Sequence, residues 1–150
     1  MKLLCDTLQK AWKHRNIQAY CDRHGIEMVN QRLDVGDYML PDGKITVDTK
    51  SGLQECAMNL LNRSDASRFW REARRARELG LKLVVLVEEK GIRSVMDVPK
   101  WKPKYGRATG RAIQTEMIRL EQAYGVVWKF CAKQSTGKRL IDILTEKEGV

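Results

Sequence analysis

Three side chains in the stretch VGDYMLPDGKITVDTKSG, residues 35–52, have types and spacing that could do chemistry together. They are Asp37, Asp48 eleven positions on, and Lys50 two beyond that. Between the acids lies Pro41-Asp42-Gly43, a turn signal in which proline presets φ and Asp-Gly completes the reversal. GDYML and KITVDTK therefore read as the arms of a β-hairpin. With a four-residue connection, Pro41 to Lys44, Leu40 pairs with Ile45 and Asp37 faces Asp48. Opposed residues of an antiparallel pair hold their Cβ atoms roughly 5 Å apart. Two carboxylates that close repel, and one resists ionising. A divalent cation resolves the conflict, because Mg²⁺ takes one or two carboxylates together with waters and phosphate oxygens. Alternation sets Lys44, Thr46, Asp48 and Lys50 on one face, and Ile45, Val47 and Thr49 on the core face. The Lys50 ammonium then stands about 7 Å along the strand from Asp48. There it can hold an attacking water or offset charge building on a phosphate. Two acids, a lysine and a metal suit phosphodiester hydrolysis. The competing reading is a solvated polar hairpin, and a three-residue connection would break the register.

The elements around this hairpin follow from periodicity. KLLC, residues 2–5, reads as a short buried strand ending at an acid, Asp6. Residues 9–24 read as a helix, with Trp12, Ala19 and Tyr20 on one face and Gly25 as its stop. Residues 26–33 read as a strand. Helices are expected at about 53–62 and 66–79. KLVVLVEE, 82–89, is the clearest buried strand. Residues 90–109 read as a basic loop. A helix over 110–123 turns Ile113, Met117 and Leu120 inward, a strand covers 126–130, and a last helix over about 136–146 buries Leu140, Ile143 and Leu144. Strands alternating with helices predict an α/β fold, a mixed β-sheet flanked by helices, in one domain over residues 1–150.

The bulk composition bounds the setting. Apolar residues make up 43% and charged residues 31% of the chain, the balance of a globular domain rather than a disordered tail. The longest apolar run, LVVLV, is too short to span a membrane, and the N-terminus is too short and polar for a signal peptide. The four cysteines have no CxxC spacing and only two histidines accompany them, which argues against structural zinc. Buried thiols and an intracellular compartment, cytoplasmic or nucleoid-associated, are expected. His14 and His24 read as surface residues without a nucleophile partner. Trp12, Trp70 and Trp128 read as core.

The formal charge of +9 favours a polyanionic partner, with a merely solubilising surface as the alternative. Two patches concentrate it. Arg68, Arg71 and Arg75 form one stripe of the 66–79 helix, with Arg63 just before it, opposite an apolar stripe of Phe69, Ala73 and Ala76. Arginine forks suit phosphate oxygens, although Glu72 and Glu78 partly offset them. The second patch, PKWKPKYGRATGR, carries Lys100, Lys102, Lys104, Arg107 and Arg111 interleaved with Trp101 and Tyr105. Cations spaced by aromatic rings suit a flexible strand, phosphates on lysines and bases on rings; the alternative is a mobile solubilising loop. Glu88 either lies near the acids or caps the sheet.

LDVGDYMLPDGKITVDTKSG resembles the GDY…V-E-R-K signature of the XPF-type nuclease domain, a branch of the PD-(D/E)xK superfamily. KLLCDT, RHGIEMVNQRLDVGDY, SRFWREARRARELGLKLVVLVEE and VVWKFCAKQSTGKRLIDIL extend the likeness over most of the chain. The resemblance implies a restriction-endonuclease-like core. It implies that Asp37 and Asp48 are metal ligands, that Asp6 is a supporting acid near the metal, and that Lys50 is the catalytic lysine. It further implies Mg²⁺ or Mn²⁺ as cofactor, no small-molecule cofactor, and branched or junction DNA as substrate. A homodimer also belongs to these expectations, with the third and closing helices as its place. Departures include Asp48 for the family glutamate, Thr49 for arginine, Gln54 where a further acid would fall, and Glu72 where glutamine is usual. The rival reading is a catalytically weak or inactive nuclease-fold module that binds nucleic acid or a protein partner.

Overall fold

Leu83, Val84, Val85, Leu86 and Val87 are all buried, so the strand that carries them must be covered on both faces. In the computed structural model, which describes residues 1–7 and 15–148, this strand lies inside a six-stranded sheet. The strands are β1 (Lys2–Cys5), β2 (Glu27–Asn30), β3 (Tyr38–Met39), β4 (Ile45–Lys50), β5 (Lys82–Glu88) and β6 (Val127–Cys131). The helices are α1 (Arg15–Arg23), α2 (Leu53–Leu61), α3 (Arg63–Glu78), α4 (Gly110–Tyr124) and α5 (Thr136–Leu144). Strand order is β2-β1-β3-β4-β5-β6, with β3 antiparallel to both neighbours and the remaining pairs parallel. This is the mixed sheet that the alternation predicts.

Alternation along β5 divides the core. Leu83, Val85 and Val87 join Leu53, Cys56, Leu60, Phe69, Ala73, Ile113 and Met117 on the face that α2, α3 and α4 cover. Val84 and Leu86 join Ile17, Cys21, Leu140 and Ile143 on the face of α1 and α5. Ile45 and Val47 belong to the second cluster, so Thr46, Asp48 and Lys50 point toward α2 and α3. The expectation that Ile45 and Val47 are core therefore holds. Their neighbours Thr46 and Asp48 are buried too, because two helices roof that face. Thr46 meets its burial with a 2.6 Å hydrogen bond from Oγ1 to the carbonyl of Val35.

Element ends differ from the periodicity where side chains capture backbone groups. β2 stops at Asn30, short of residue 33, and the Leu33 N–H donates to Asp6 Oδ1 at 3.0 Å instead of to a strand. Within the expected 90–109 loop, a 3-10 turn forms over Val95–Lys100, opened by Ser94, whose side chain accepts from Met96 N. α3 begins at Arg63 because the Asn62 side chain accepts from Asp65 N. The N-terminal part of the expected first helix, with Trp12 and His14, lies outside the described residues. All four cysteines are free and buried, and burial, then the charge of Cys21, pushes the Cys5 thiol up to about 12. His24 is exposed and stacks on Tyr20, with ring centroids 4.0 Å apart. Trp128 is buried and stacks on Phe69, and its ring N–H donates to Met117 O. Trp70 packs half-buried against the same core. Among the described residues, no helix is long and apolar enough to cross a membrane.

Candidate active site

The hairpin closes with the four-residue connection that its sequence suggests. Gly43 N donates to Leu40 O at 3.0 Å, Tyr38 pairs with Val47 and Met39 with Thr46. Continued one step, that register brings Asp37 against Asp48. At this step the backbone ladder changes hands. Asp37 N donates to Val47 O at 2.8 Å, and the next N–H, that of Thr49, donates to the Asp37 carboxylate at 2.9 Å. The Thr49 hydroxyl donates to the same Oδ2 at 3.1 Å. The side chain of Asp37 thus fills the place of a strand carbonyl, and its orientation is fixed by two donors.

Gly36 makes this presentation possible. Its φ is +80°, a conformation that L residues seldom adopt, and a Cβ there would overlap the Thr46 hydroxyl. The chain can therefore turn from Val35, buried under α2 and α3, into Asp37 only through a glycine.

Asp48, which is buried, and Asp37, which is half-buried, bring their carboxyl groups together. Burial first, then the charge of Asp48 and a hydrogen bond with it, hold Asp37 well above the ordinary 3.8; Thr49 and Lys50 pull the other way. Lys50 Nζ lies 3.1 Å from Asp48 Oδ2, both side chains being largely covered. Burial pulls the Lys50 pKa down, but the charges of Asp48 and Glu55 outweigh it and lift the net value above its ordinary 10.5. The ammonium also lies 5.6 Å from the centre of the Phe69 ring, within cation–π range.

Asp6 reaches the same edge from β1. Its N–H donates to Asp37 O at 2.8 Å, while its Oδ1 accepts from Leu33 N. Asp6 is not drawn into one ligand set with Asp37 and Asp48. Among the described residues, no three His, Cys, Asp or Glu side chains are grouped closely enough to hold an ion. What the fold offers a cation is the opposed pair, two hard oxygen donors whose charges Lys50 only partly meets. That donor chemistry fits a divalent ion that keeps several waters.

Glu72, in the sequence an offset to the arginines and a residue standing where glutamine is usual, comes to the site. It lies on α3 one turn beyond Phe69, and lines a cleft of about 220 Å³ with Lys50, Asn59, Asp65, Arg68 and Phe69. Burial first, then the charge of Asp48, raises its pKa. The sign of its coming inward was present in the sequence, since Phe69, Glu72, Ala73 and Ala76 share a helical face. Glu88 ends β5 and accepts from the Thr136 hydroxyl, fastening the sheet to the start of α5. Glu88 thus ties down the sheet end, and it also lines a cavity of about 430 Å³ with Thr49 and Lys50.

The basic residues fall in two places. Arg63, Arg68, Arg71 and Arg75 are exposed on α3; Arg68 lies 3.6 Å from Asp65, and Arg75 lies 3.6 Å from Asp34. Lys100, Lys102, Lys104, Arg107 and Arg111 are exposed along the segment before α4 and at its start. Lys100 is paired to Asp97 at 3.3 Å. Gln54, on the first turn of α2, bonds this segment: its Oε1 accepts from Lys104 N and its Nε2 donates to Tyr105 O.

Comparison with known proteins agrees with this architecture. No curated protein matches the sequence. Among solved structures, XPF from Aeropyrum pernix is similar, with a TM-score of 0.72 at 17% identity over 98% of this chain. This chain spans 65% of the length of that one. XPF from the same organism in complex with DNA gives a TM-score of 0.66 at 18% identity, over 99% of this chain and 67% of the other. At such identities the likeness is one of fold. The family model described as ERCC4 domain matches residues 9–143, which takes in the hairpin, the acid pair, Lys50 and α3, and so the chain belongs to the ERCC4-domain family, that of the XPF-type nucleases.

Proposed function

We propose that the protein is a metal-dependent endonuclease that hydrolyses phosphodiester bonds in branched or junction-containing DNA. The observation that carries this reading is the opposed Asp37–Asp48 pair, half-buried and buried, with Lys50 Nζ 3.1 Å from Asp48. In this reading Asp37 and Asp48 hold the ion and Asp6 supports them from β1. Mg²⁺ or Mn²⁺, when bound, would polarise the phosphodiester and favour ionisation of a water. The residues do the rest. Thr49 holds Asp37 Oδ2 in a fixed direction. Lys50, kept protonated by its acid neighbours, offsets charge developing on the phosphate. Glu72 and Arg68 line the cleft on the α3 side, where the arginine can take a neighbouring phosphate and the glutamate can orient water. Water is the nucleophile, and no covalent enzyme intermediate forms. The exposed arginines of α3 and the cations before α4 supply backbone contacts. A DNA complex of the Aeropyrum pernix XPF, which shares the fold, supports DNA as the substrate class.

The test is a cleavage panel of single-strand, duplex, fork, flap and four-way-junction DNA in Mg²⁺, Mn²⁺ or EDTA, run beside Asp48→Asn. Cleavage of branched substrates in either metal is expected, with a loss of about 100-fold or more in the variant, the scale of removing a group that stabilises the transition state. Binding in EDTA without cleavage in either metal would replace this reading with that of a binding module. Gln54, which stands in place of a family acid and bonds the backbone, is the feature that favours it.

A further inference from the structure

Gln54 is more than a missing acid. The segment between Trp101 and Thr109 has no regular structure, and both ends are fastened. The Trp101 N–H donates to Val98 O at 3.0 Å, and Trp101 and Ala108 pack on the core under α2–α4. At the far end the Thr109 side chain caps α4 by accepting from Ala112 N. Between them Lys102, Lys104, Tyr105 and Arg107 are exposed, Tyr105 at 64%. Such a tip would ordinarily wander. Here a single amide side chain meets two consecutive backbone units of it. The Lys104 N–H donates to Gln54 Oε1 and Gln54 Nε2 donates to Tyr105 O, each at 3.3 Å and across about 50 positions of sequence.

The chemistry of this contact selects the side chain. An ionised glutamate at position 54 can accept from Lys104 N but cannot donate to Tyr105 O, and would set a carboxylate oxygen against that carbonyl. Asparagine is one methylene short. Only glutamine combines the reach, the donor and the acceptor. Gln54 also stands four residues after Lys50 and opens the helix that follows the strand of the acid pair. The fold therefore couples the basic, aromatic tip to α2, the helix that follows the strand ending in the candidate lysine.

Resting on the DNA reading above, we propose that Gln54 is a positioning residue that fixes this tip as a platform for a single-stranded arm of the DNA substrate. Tyr105 offers a ring on which a base can stack, and Lys102, Lys104 and Arg107 meet the phosphates on either side. A held tip has already given up the freedom that binding would otherwise remove, so affinity for the arm depends on the amide contact. A blunt duplex has no unstacked base for the ring and gains nothing from it.

The experiment compares wild type with Gln54→Glu, Gln54→Ala and Tyr105→Ala, each first checked for an unchanged melting transition. Amide hydrogen exchange of 102–107 reads the contact without DNA. Fluorescence anisotropy with a labelled fork bearing single-stranded arms, and with a blunt duplex of the same base pairs, reads the platform in EDTA. Exchange at Lys104 should quicken about tenfold in Gln54→Ala, the scale of removing one hydrogen bond, and less in Gln54→Glu, which keeps the acceptor for the Lys104 N–H and loses only the donor to Tyr105 O. Fork affinity should fall about fivefold or more in Tyr105→Ala and in both Gln54 variants, while duplex affinity changes less than twofold. Unchanged exchange in Gln54→Ala would overturn the proposal, as would equal losses on fork and duplex or no loss on either. Wild type that retains neither DNA would overturn the DNA reading and this proposal together. Wild type that binds both, with variants indistinguishable from it, overturns this proposal alone.

Discussion

Asp37 stands under two opposing demands. Two donors on Thr49 favour its charge, and burial beside Asp48 disfavours it. The second demand is the larger, and its pKa is raised above the ordinary 3.8. The folded chain then keeps a proton at pH values where the unfolded chain has released it. Stability of the ion-free protein must fall as pH rises from about 3.8 toward the folded value, because in that window the folded state binds more protons. Asp37→Asn keeps an acceptor for Thr49 and removes this titrating group, so its melting temperature should descend less than that of wild type, with the part due to Glu72 remaining; melting curves between pH 4 and 8 in EDTA check it. The same pair gives a metal prediction. An ion bound only to the folded state stabilises by about 2.7 kcal/mol at a free concentration 100 times its Kd. For a domain of this size that raises Tm by roughly 5–10 °C. Wild type should show the rise on addition of Mn²⁺, and Asp37→Asn should show little of it.

At the scale of elements, the site depends on how β3 meets β4. The strand contribution of β3 is only Tyr38–Met39, so the placement of Asp37 rests on the turn before it. Gly36 adopts φ +80° directly beneath Thr46, whose hydroxyl holds Val35 O. Gly36→Ala introduces both a disfavoured backbone conformation and a clash, and should destabilise by more than about 1 kcal/mol, read as a lower urea midpoint with an unchanged m-value. Thr46→Val keeps the volume and leaves the buried carbonyl of Val35 without its donor. Its expected cost is on the order of 1–3 kcal/mol in the same titration. Both variants should also weaken the metal-induced rise in Tm, since Asp37 is no longer held in a fixed direction.

Over the whole molecule, the charge of +9 matters through where it sits. Arg68 lines the cleft with Lys50 and Glu72, and the other arginines are exposed on the same helix, while the second set is carried before α4. Arg68 and Arg75 already have acidic neighbours at 3.6 Å, and with both arginines exposed these pairs are weak. Under the proposed function, replacing Arg68, Arg71 and Arg75 by alanine should lower duplex affinity and flatten its dependence on salt. The slope of log K against log salt should shrink by about 0.9 for each phosphate that the protein no longer neutralises. An unchanged slope, measured over a low to moderate range of salt, would remove α3 from the interface.

The sequence by itself determined the order of strands and helices, the hairpin and the pairing of Asp37 with Asp48. Those rest on local causes: a Pro-Asp-Gly turn, a two-residue alternation, and a run of apolar residues, LVVLV, that only a doubly covered strand can bury. The tertiary structure decided what stands around the pair. That Asp6 reaches β3 through its N–H, yet spends a carboxylate oxygen on Leu33, depends on β1 lying between β2 and β3, an order that no local pattern encodes. That Glu72 faces the cleft depends on α3 packing with Phe69 inward across the acid strand. That Gln54 binds Lys104 and Tyr105 depends on bringing together residues about 50 positions apart. Local preference sets each element, but the partner of a side chain across the sheet is fixed only when the elements pack, because burial rewards one arrangement of faces and not the others.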